Sequence, residues 1–183
     1  MAVSVVLGLH IFGIIILLIA LYFLLRPIVH GAVYFPTSPK RVGMMLALAE
    51  VRAGETVVDL GSGDGRILIA CAERGAVAVG YEVNPWLVWR SRRAIRRAGV
   101  GKLATVRWES FWRADLARYD VVMLYGITYI MRDLEKKFAR ELRPGTRVIS
   151  NAFTFPDWQP ATKQDGILLY VMPAAPAAAH PAA

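Results

Sequence analysis

The sequence predicts an α/β domain on a parallel sheet with helices on both faces and a lean C-terminal hairpin, preceded by one N-terminal transmembrane helix. Three observations carry this. Residues Val3–Leu25 form an almost unbroken apolar run. From Thr56 to Asn151 short apolar runs alternate with helical patterns, the signature of strands joined by crossover helices. One of those strands, Val57–Leu60, runs into the glycine-rich turn Gly61-Ser62-Gly63-Asp64-Gly65, where bare backbone comes up against a ligand.

The apolar run would span about 34 Å at ~1.5 Å per residue, enough for a ~30 Å hydrocarbon core. No Lys or Arg precedes it, so it reads as a retained anchor and not as a cleaved signal peptide. Arg26, Lys40 and Arg41 follow it, which orients the rest of the chain toward the cytoplasm. The absence of an Arg/Ser-rich leader favours a bacterial or archaeal membrane over a mitochondrial one. His10, alone inside the run, lacks an acidic partner there and reads as a structural or helix-pairing residue. Pro27 is expected to end the helix, and residues 27–37 to form a short connector.

The domain is expected over residues 38–172. Ser38 and Pro39 start a helix that Gly54 closes. Then come strand Thr56–Leu60, helix Asp64–Arg74, strand Val77–Glu82, helix Pro85–Ala98, strands Leu103–Trp108 and Asp120–Tyr125, helix Met131–Leu142, strand Thr146–Asn151 and a last strand Ile167–Met172. The Ala/Pro-rich tail 173–183 reads as disordered. With 183 residues, 56% of them hydrophobic, the chain can bury one core. Its net charge of +8 suits an anionic neighbour such as lipid headgroups, nucleic acid or an acidic protein. The single cysteine, Cys71, excludes an internal disulfide and reads as a buried small hydrophobe.

A glycine turn of this kind is compatible with dinucleotide, flavin or S-adenosylmethionine binding. Its neighbours narrow the choice. A dinucleotide fingerprint wants a third glycine where Arg66 stands and offers its helix N-terminus to a pyrophosphate. Asp64 occupies that position, and a carboxylate there repels phosphate. Asp59 adds negative charge at the strand end, and Glu82 ends the next strand, where a carboxylate accepts from ribose hydroxyls. Three acids around one turn suit a cationic, phosphate-free cofactor, and S-adenosylmethionine carries an ammonium and a sulfonium. No metal is expected.

Val57–Gly65 and Tyr81-Glu82-Val83-Asn84-Pro85-Trp86 resemble the first two motifs of Rossmann-like class I S-adenosylmethionine-dependent methyltransferases. More narrowly, Tyr34-Phe35-Pro36-Thr37, Gly80–Val88, Leu134-Glu135-Lys136-Lys137 and Phe155-Pro156-x-Trp158-x-Pro160 resemble the membrane-anchored protein-lysine methyltransferases of the ATP synthase c subunit and the adenine nucleotide translocase. The resemblance implies methylation of a lysine ε-amine on a membrane protein. It places Asp59, Gly61 and Gly63 at the methionine end of the cofactor, Glu82 at the ribose, and Ser62, Asp64, Gly65 and Asn84 around them. Glu109 and Ser110 fall at the adenine, where the family usually has an Asp before a Leu-Trp pair and this chain reads Glu109-Ser110-Phe111-Trp112. Tyr125 is the candidate catalytic residue, with Tyr34, Thr37, Gly126 and Thr128 on the substrate side. Thr128 stands where a proline is frequent. Asn84-Pro85 follows the second strand, not the fourth, and so is not the catalytic motif of amide and nucleobase methylases.

Arg90, Arg92, Arg93, Arg96 and Arg97 crowd one helix. With no stacking aromatics expected to interleave on that face, it reads as solvated or lipid-facing, and nucleic acid is not the expected partner. Two rival functions remain: a methyltransferase for a lipid, quinone or other membrane-partitioned small molecule, and a noncatalytic Rossmann module. The intact Asp59, Gly61, Gly63 and Glu82 oppose the second.

Overall fold

The computed structural model describes residues 2–30, 35–126 and 128–174, with the side chains of 2–5, 20 and 23–30 outside that description. Tyr34 and residues 175–183 of the expected tail also lie outside the described residues. Two compact units emerge, Met1–Val33 and Tyr34–Ala183.

The first unit is a single helix, α1 (Ala2–His30). It runs through Pro27, a correction to the expected stop: a proline removes one intrahelical bond and bends a helix without obliging it to end. Its described large side chains, among them Leu9, Phe12, Leu17 and Tyr22, are exposed. His10 Nδ1 lies 2.8 Å from Val6 O, so the imidazole is satisfied one turn back within its own helix. Among the described residues no helix is long and apolar enough to cross a membrane.

The second unit begins earlier than residue 38. Thr37 is buried because Arg66 donates to its carbonyl at 2.6 Å, and this ties the expected connector into the domain. Helix α2 (Pro39–Leu48) is capped by Ser38, whose hydroxyl accepts from the Arg41 N–H. Seven strands follow: β1 (Thr56–Leu60), β2 (Val77–Glu82), β3 (Ala104–Trp108), β4 (Val121–Leu124), β5 (Arg147–Asn151), β6 (Thr162–Gln164) and β7 (Ile167–Val171). They form one sheet in the order β3-β2-β1-β4-β5-β7-β6. The first five are parallel, and β7 runs antiparallel to both β5 and β6. The hairpin was expected from its second strand alone; β6 is all polar and exposed, so it shows no alternation to read.

Helices α3 (Arg66–Glu73), α4 (Pro85–Arg97) and α5 (Thr128–Glu141) complete the fold, with a 3-10 turn at Phe111–Arg113. Neighbouring strand residues face opposite cores. Val57, Val121 and Ile149 pack with α2, α3 and α4, whereas Val58, Val122 and Val148 pack with α5 and Phe111. This two-sided burial explains why the strands are continuous apolar runs. Cys71 is buried in the first core, as expected, and burial pushes its thiol up to about 12. Lys137, part of the Leu134–Lys137 motif, is buried as well: it donates to Glu141 and to the carbonyls of Ala114 and Trp112, bracing the turn after β3 against α5.

The arginine helix differs from expectation. On α4 the buried stripe is Leu87, Val88, Ser91 and Ile95, and Trp86 and Trp89 lie exposed beside the arginines. They stack at 4.8 Å with 21° between planes, and Arg93 lies 5.8 Å from the Trp89 ring. The basic face therefore does carry interleaved aromatics.

Candidate active site

In an open parallel sheet, ligands bind at the carboxyl ends of the strands where the order reverses. Here the reversal lies between β1 and β4, and β1 ends at Asp59-Leu60 before the glycine turn. Gly61, Gly63 and Gly65 have φ of 92°, 54° and 82°, a region that disfavours any side chain. Gly65 is doubly constrained, since a Cβ there would also run into the Ser91 side chain. Gly80 on β2 leaves room for Ser62, whose Cβ lies 2.5 Å from where a Gly80 Cβ would stand. Ser62 Oγ is buried with no hydrogen-bond partner among the described residues.

Four of the loop's backbone donors are already engaged. Gly61 and Ser62 N–H donate to Tyr81 O at 2.9 and 3.0 Å, and Gly65 N–H to Ser62 O at 2.9 Å. Gly63 N–H donates to Glu82 Oε2 at 3.0 Å. A pyrophosphate cradle needs such amides pointing free at the ligand, so this loop is poorly built for phosphate.

The acids take distinct roles. Asp59 is buried; burial first, then the neighbouring charges of Glu82 and Asp64, pushes its carboxyl up to about 8. Glu82 is buried too, and burial raises its pKa against the opposing N–H groups of Asn84, Gly63 and Val83. Its Oε1 accepts from Asn84 N–H at 2.8 Å. The carboxylate thus receives backbone donors at both oxygens and has acceptor capacity left for a hydroxyl. Asp64, a candidate cofactor-binding residue, is engaged by arginines within the protein. Arg66 clasps it through two nitrogens, at 2.9 and 2.7 Å, and Arg90 approaches to 3.7 Å. Its charge is therefore offset by Arg66 and by Arg90 of α4, yet it still helps to push up the Asp59 carboxyl. Asn84 likewise has its side chain engaged, capping α4 by accepting from Trp86 and Leu87 N–H.

Glu109 and Ser110 follow β3, half-buried, with Glu109 N–H donating to Glu82 O at 3.1 Å, so they border the Glu82 position. After β4, Tyr125 is half-buried. Its ring meets Phe35 at 6.2 Å, edge to face, and Phe153 at 5.9 Å. Gly126 is buried, with a Cβ position 2.6 Å from Met131 Sδ, and Thr128 is exposed at the start of α5. Thr37 Oγ1 accepts from Asn151 Nδ2 at 3.4 Å, and Arg41 in turn donates to Asn151 Oδ1 and to Asp165 O.

Asn151, Phe153 and the Arg66–Thr37 tie were not foreseen from the sequence, whereas Phe35 was, as part of the Tyr34–Thr37 motif. The signal for Asn151 was an amide at the end of a strand next to the switch point; nothing local pointed to Phe153. Among the described residues no group of three or more His, Cys, Asp or Glu is placed to hold a metal.

Residues 59–162 match the family model described as the ANTKMT methyltransferase domain. The chain is 40% identical over 149 residues to the human lysine N-methyltransferase of the ATP synthase c subunit, covering 78% of this chain and 64% of that protein. It is 37% identical over 129 residues to a protein-lysine N-methyltransferase of Saccharolobus islandicus, covering 69% of this chain and 80% of that one. A solved structure described as an RNA methyltransferase from Salinibacter ruber with S-adenosyl-L-homocysteine superposes with a TM-score of 0.73 at 34% identity, covering 79% of this chain and 98% of that one. The chain spans only 51% to 66% of the lengths of the human, Xenopus and mouse enzymes named for the ATP synthase c subunit.

Proposed function

The chain belongs to the ANTKMT methyltransferase family and has its class I Rossmann-like fold, and from that premise we propose that it transfers a methyl group from S-adenosylmethionine to a lysine ε-amine of a membrane or membrane-proximal protein. The observation that carries the cofactor reading is the pair of buried carboxylates, Asp59 and Glu82, around a glycine loop with four amides engaged within the protein. Such a pocket accepts a cationic, phosphate-free nucleoside. The lysine reading is supported by relatives named for that activity on the ATP synthase c subunit and on the adenine nucleotide translocase.

When bound, S-adenosylmethionine supplies a methyl group activated by its sulfonium. The remaining work falls to the chain. Asp59 holds the ammonium of the methionine end, and Glu82 the ribose diol. Glu109 and Ser110 flank the adenine, and Ser62, Gly61, Gly63 and Gly65 keep the backbone close. Phe35, Tyr125 and Phe153 form an aromatic wall after β4 and β5 that excludes water from the amine's path and favours a nitrogen carrying partial positive charge. The site would hold in line with that methyl group a lysine amine that has already lost its proton to solvent, so no strong base is required. Tyr125 acts through its ring. Thr37, through the Arg66 and Asn151 contacts, holds the Phe35 segment in place.

The same proposal includes an anchor: the exposed large apolar side chains of α1 suit a single-pass membrane protein, and Arg26, Lys40 and Arg41 after the apolar run suit a domain on the cytoplasmic side. Alkaline carbonate extraction with protease protection tests that placement; release into the wash contradicts it.

The likeness to the Salinibacter protein favours RNA as a second acceptor reading. Incubation with labelled methyl donor, followed by separate hydrolysis of protein, lipid and RNA, decides: label in methyl-lysine supports the proposal, and label in nucleoside or lipid replaces it.

A further inference from the structure

The exposed large hydrophobic side chains of the second unit are unevenly placed. The aromatic ones among the described residues are Phe35, Trp86, Trp89, Trp108 and Tyr129. Trp86 and Trp89 open α4 just after β2 ends, Trp108 is the last residue of β3, and Tyr129 opens α5 after β4. Phe35 meets Tyr125, which follows β4. All five therefore sit at the carboxyl ends of the parallel strands, the edge that carries the glycine loop. The two exposed aliphatics, Val77 and Val171, lie at the other edge: Val77 starts β2, and Val171 pairs with Arg147, the first residue of β5. A soluble surface scatters its apolar residues singly; this one gathers its aromatics on the working edge.

Basic residues accompany them. Trp89, Trp108, Arg92 and Arg96 line a shared depression of about 290 Å³, and Arg93 lies over the Trp89 ring. Tryptophan and tyrosine beside arginine is the chemistry of a membrane–water interface, with amphipathic rings at headgroup level and guanidinium groups on lipid phosphates. Single-stranded nucleic acid is held differently, by free aromatic faces along a groove. Here Trp86 and Trp89 cover one another, the Arg93 guanidinium approaches the Trp89 ring, and Trp108 Nε1 donates to Val83 O. The rings are spread over the ends of β2, β3 and β4 and follow no single track.

We propose that the site-bearing edge of the sheet docks on an anionic phospholipid bilayer, with Trp86, Trp89 and Trp108 at the headgroup level and Arg92, Arg93 and Arg96 on lipid phosphates. Docking in this sense brings the mouth of the active site to the membrane surface, whichever acceptor is methylated, so the inference stands or falls apart from the lysine reading.

The test uses the full chain with phosphatidylcholine vesicles, with and without phosphatidylglycerol, and reads quenching of tryptophan fluorescence by headgroup-proximal brominated lipid in the vesicle-bound fraction. Quenching is expected to rise with phosphatidylglycerol and fall with salt. Each basic side chain at an anionic surface contributes about fivefold, so R92Q/R96Q should weaken docking roughly 30-fold. W86F/W89F should lower the quenching as well, while both variants still bind S-adenosylhomocysteine like the parent, which reports an intact fold. Quenching that ignores phosphatidylglycerol, or that persists in R92Q/R96Q, overturns the proposal. So does loss of single-stranded RNA binding in R92Q/R96Q with vesicle quenching unchanged, which would make this an RNA face.

Discussion

Replacing Asp59 by Asn tests the electrostatics of the cofactor pocket. The side chain is nearly isosteric, so packing is kept while the charge is removed. With its carboxyl pushed up to about 8 by burial and by Glu82 and Asp64, Asp59 is mostly protonated in the free protein at pH 7. Binding an ammonium requires the carboxylate, so binding must release a proton. Below pH 8 the apparent affinity should track the ionised fraction, rising about ninefold from pH 6 to pH 7. The ligand's own α-amino group titrates near 7.7–8.0, which sets the useful ceiling at about pH 7.5. Loss of a charge-assisted hydrogen bond is worth roughly 1.5–3 kcal/mol, or about 10- to 100-fold in affinity at that pH. Calorimetric titration with S-adenosylhomocysteine in buffers of different ionisation enthalpy reads affinity and proton release together. An affinity that is flat from pH 6 to 7.5, or a D59N protein that binds like the parent, would refute the reasoning.

Stability without cofactor carries the same sign. The folded pKa of Asp59, about 8, lies above the ordinary 3.8, so the folded state holds an extra proton between those values. Its contribution to stability therefore falls as pH rises from about 4 to 8 and levels off above, and D59N should flatten that part of a denaturant-midpoint profile. Gly65→Ala meets a left-handed φ and the Ser91 side chain together and should cost about 2–4 kcal/mol, read as a lower urea midpoint. Lys137→Met leaves the half-buried Glu141 carboxylate without its cation and should cost about 3 kcal/mol, more than Lys136→Met on the exposed face. Cys71, buried with its thiol pushed up to about 12, should resist a thiol reagent at pH 8 until denaturant is added; fast labelling of the native protein would contradict the packing.

Much of this was legible in the sequence for a physical reason. Strands buried on both faces write themselves as apolar runs, so Thr56–Leu60 and Val77–Glu82 were located to the residue. The start of α4 at Pro85 was located because a first-turn proline is local chemistry, while the Asn84 cap emerged only with the structure. What stayed hidden depends on side-chain direction or distant pairing. That Asp64 pairs with Arg66 is a choice of rotamer. Thr37 and Asn151 meet across 114 positions, a contact that no local pattern encodes. Trp86 and Trp89 sit in a helical pattern that does not by itself set their direction, and they take its exposed face. Parts of the family motifs turned out to be architecture: Lys137 braces α5 through Glu141, and Phe155 and Trp158 pack around Tyr170.

The most direct measurement is mass analysis of lysine peptides after the purified full chain is incubated with membranes and isotopically labelled S-adenosylmethionine. Labelled methyl groups are predicted on lysine ε-nitrogens of membrane-associated protein with the parent chain, and their loss with D59N at pH 7. Label confined to lipid or RNA, or no transfer at all by a protein that binds the cofactor, would contradict a lysine methyltransferase.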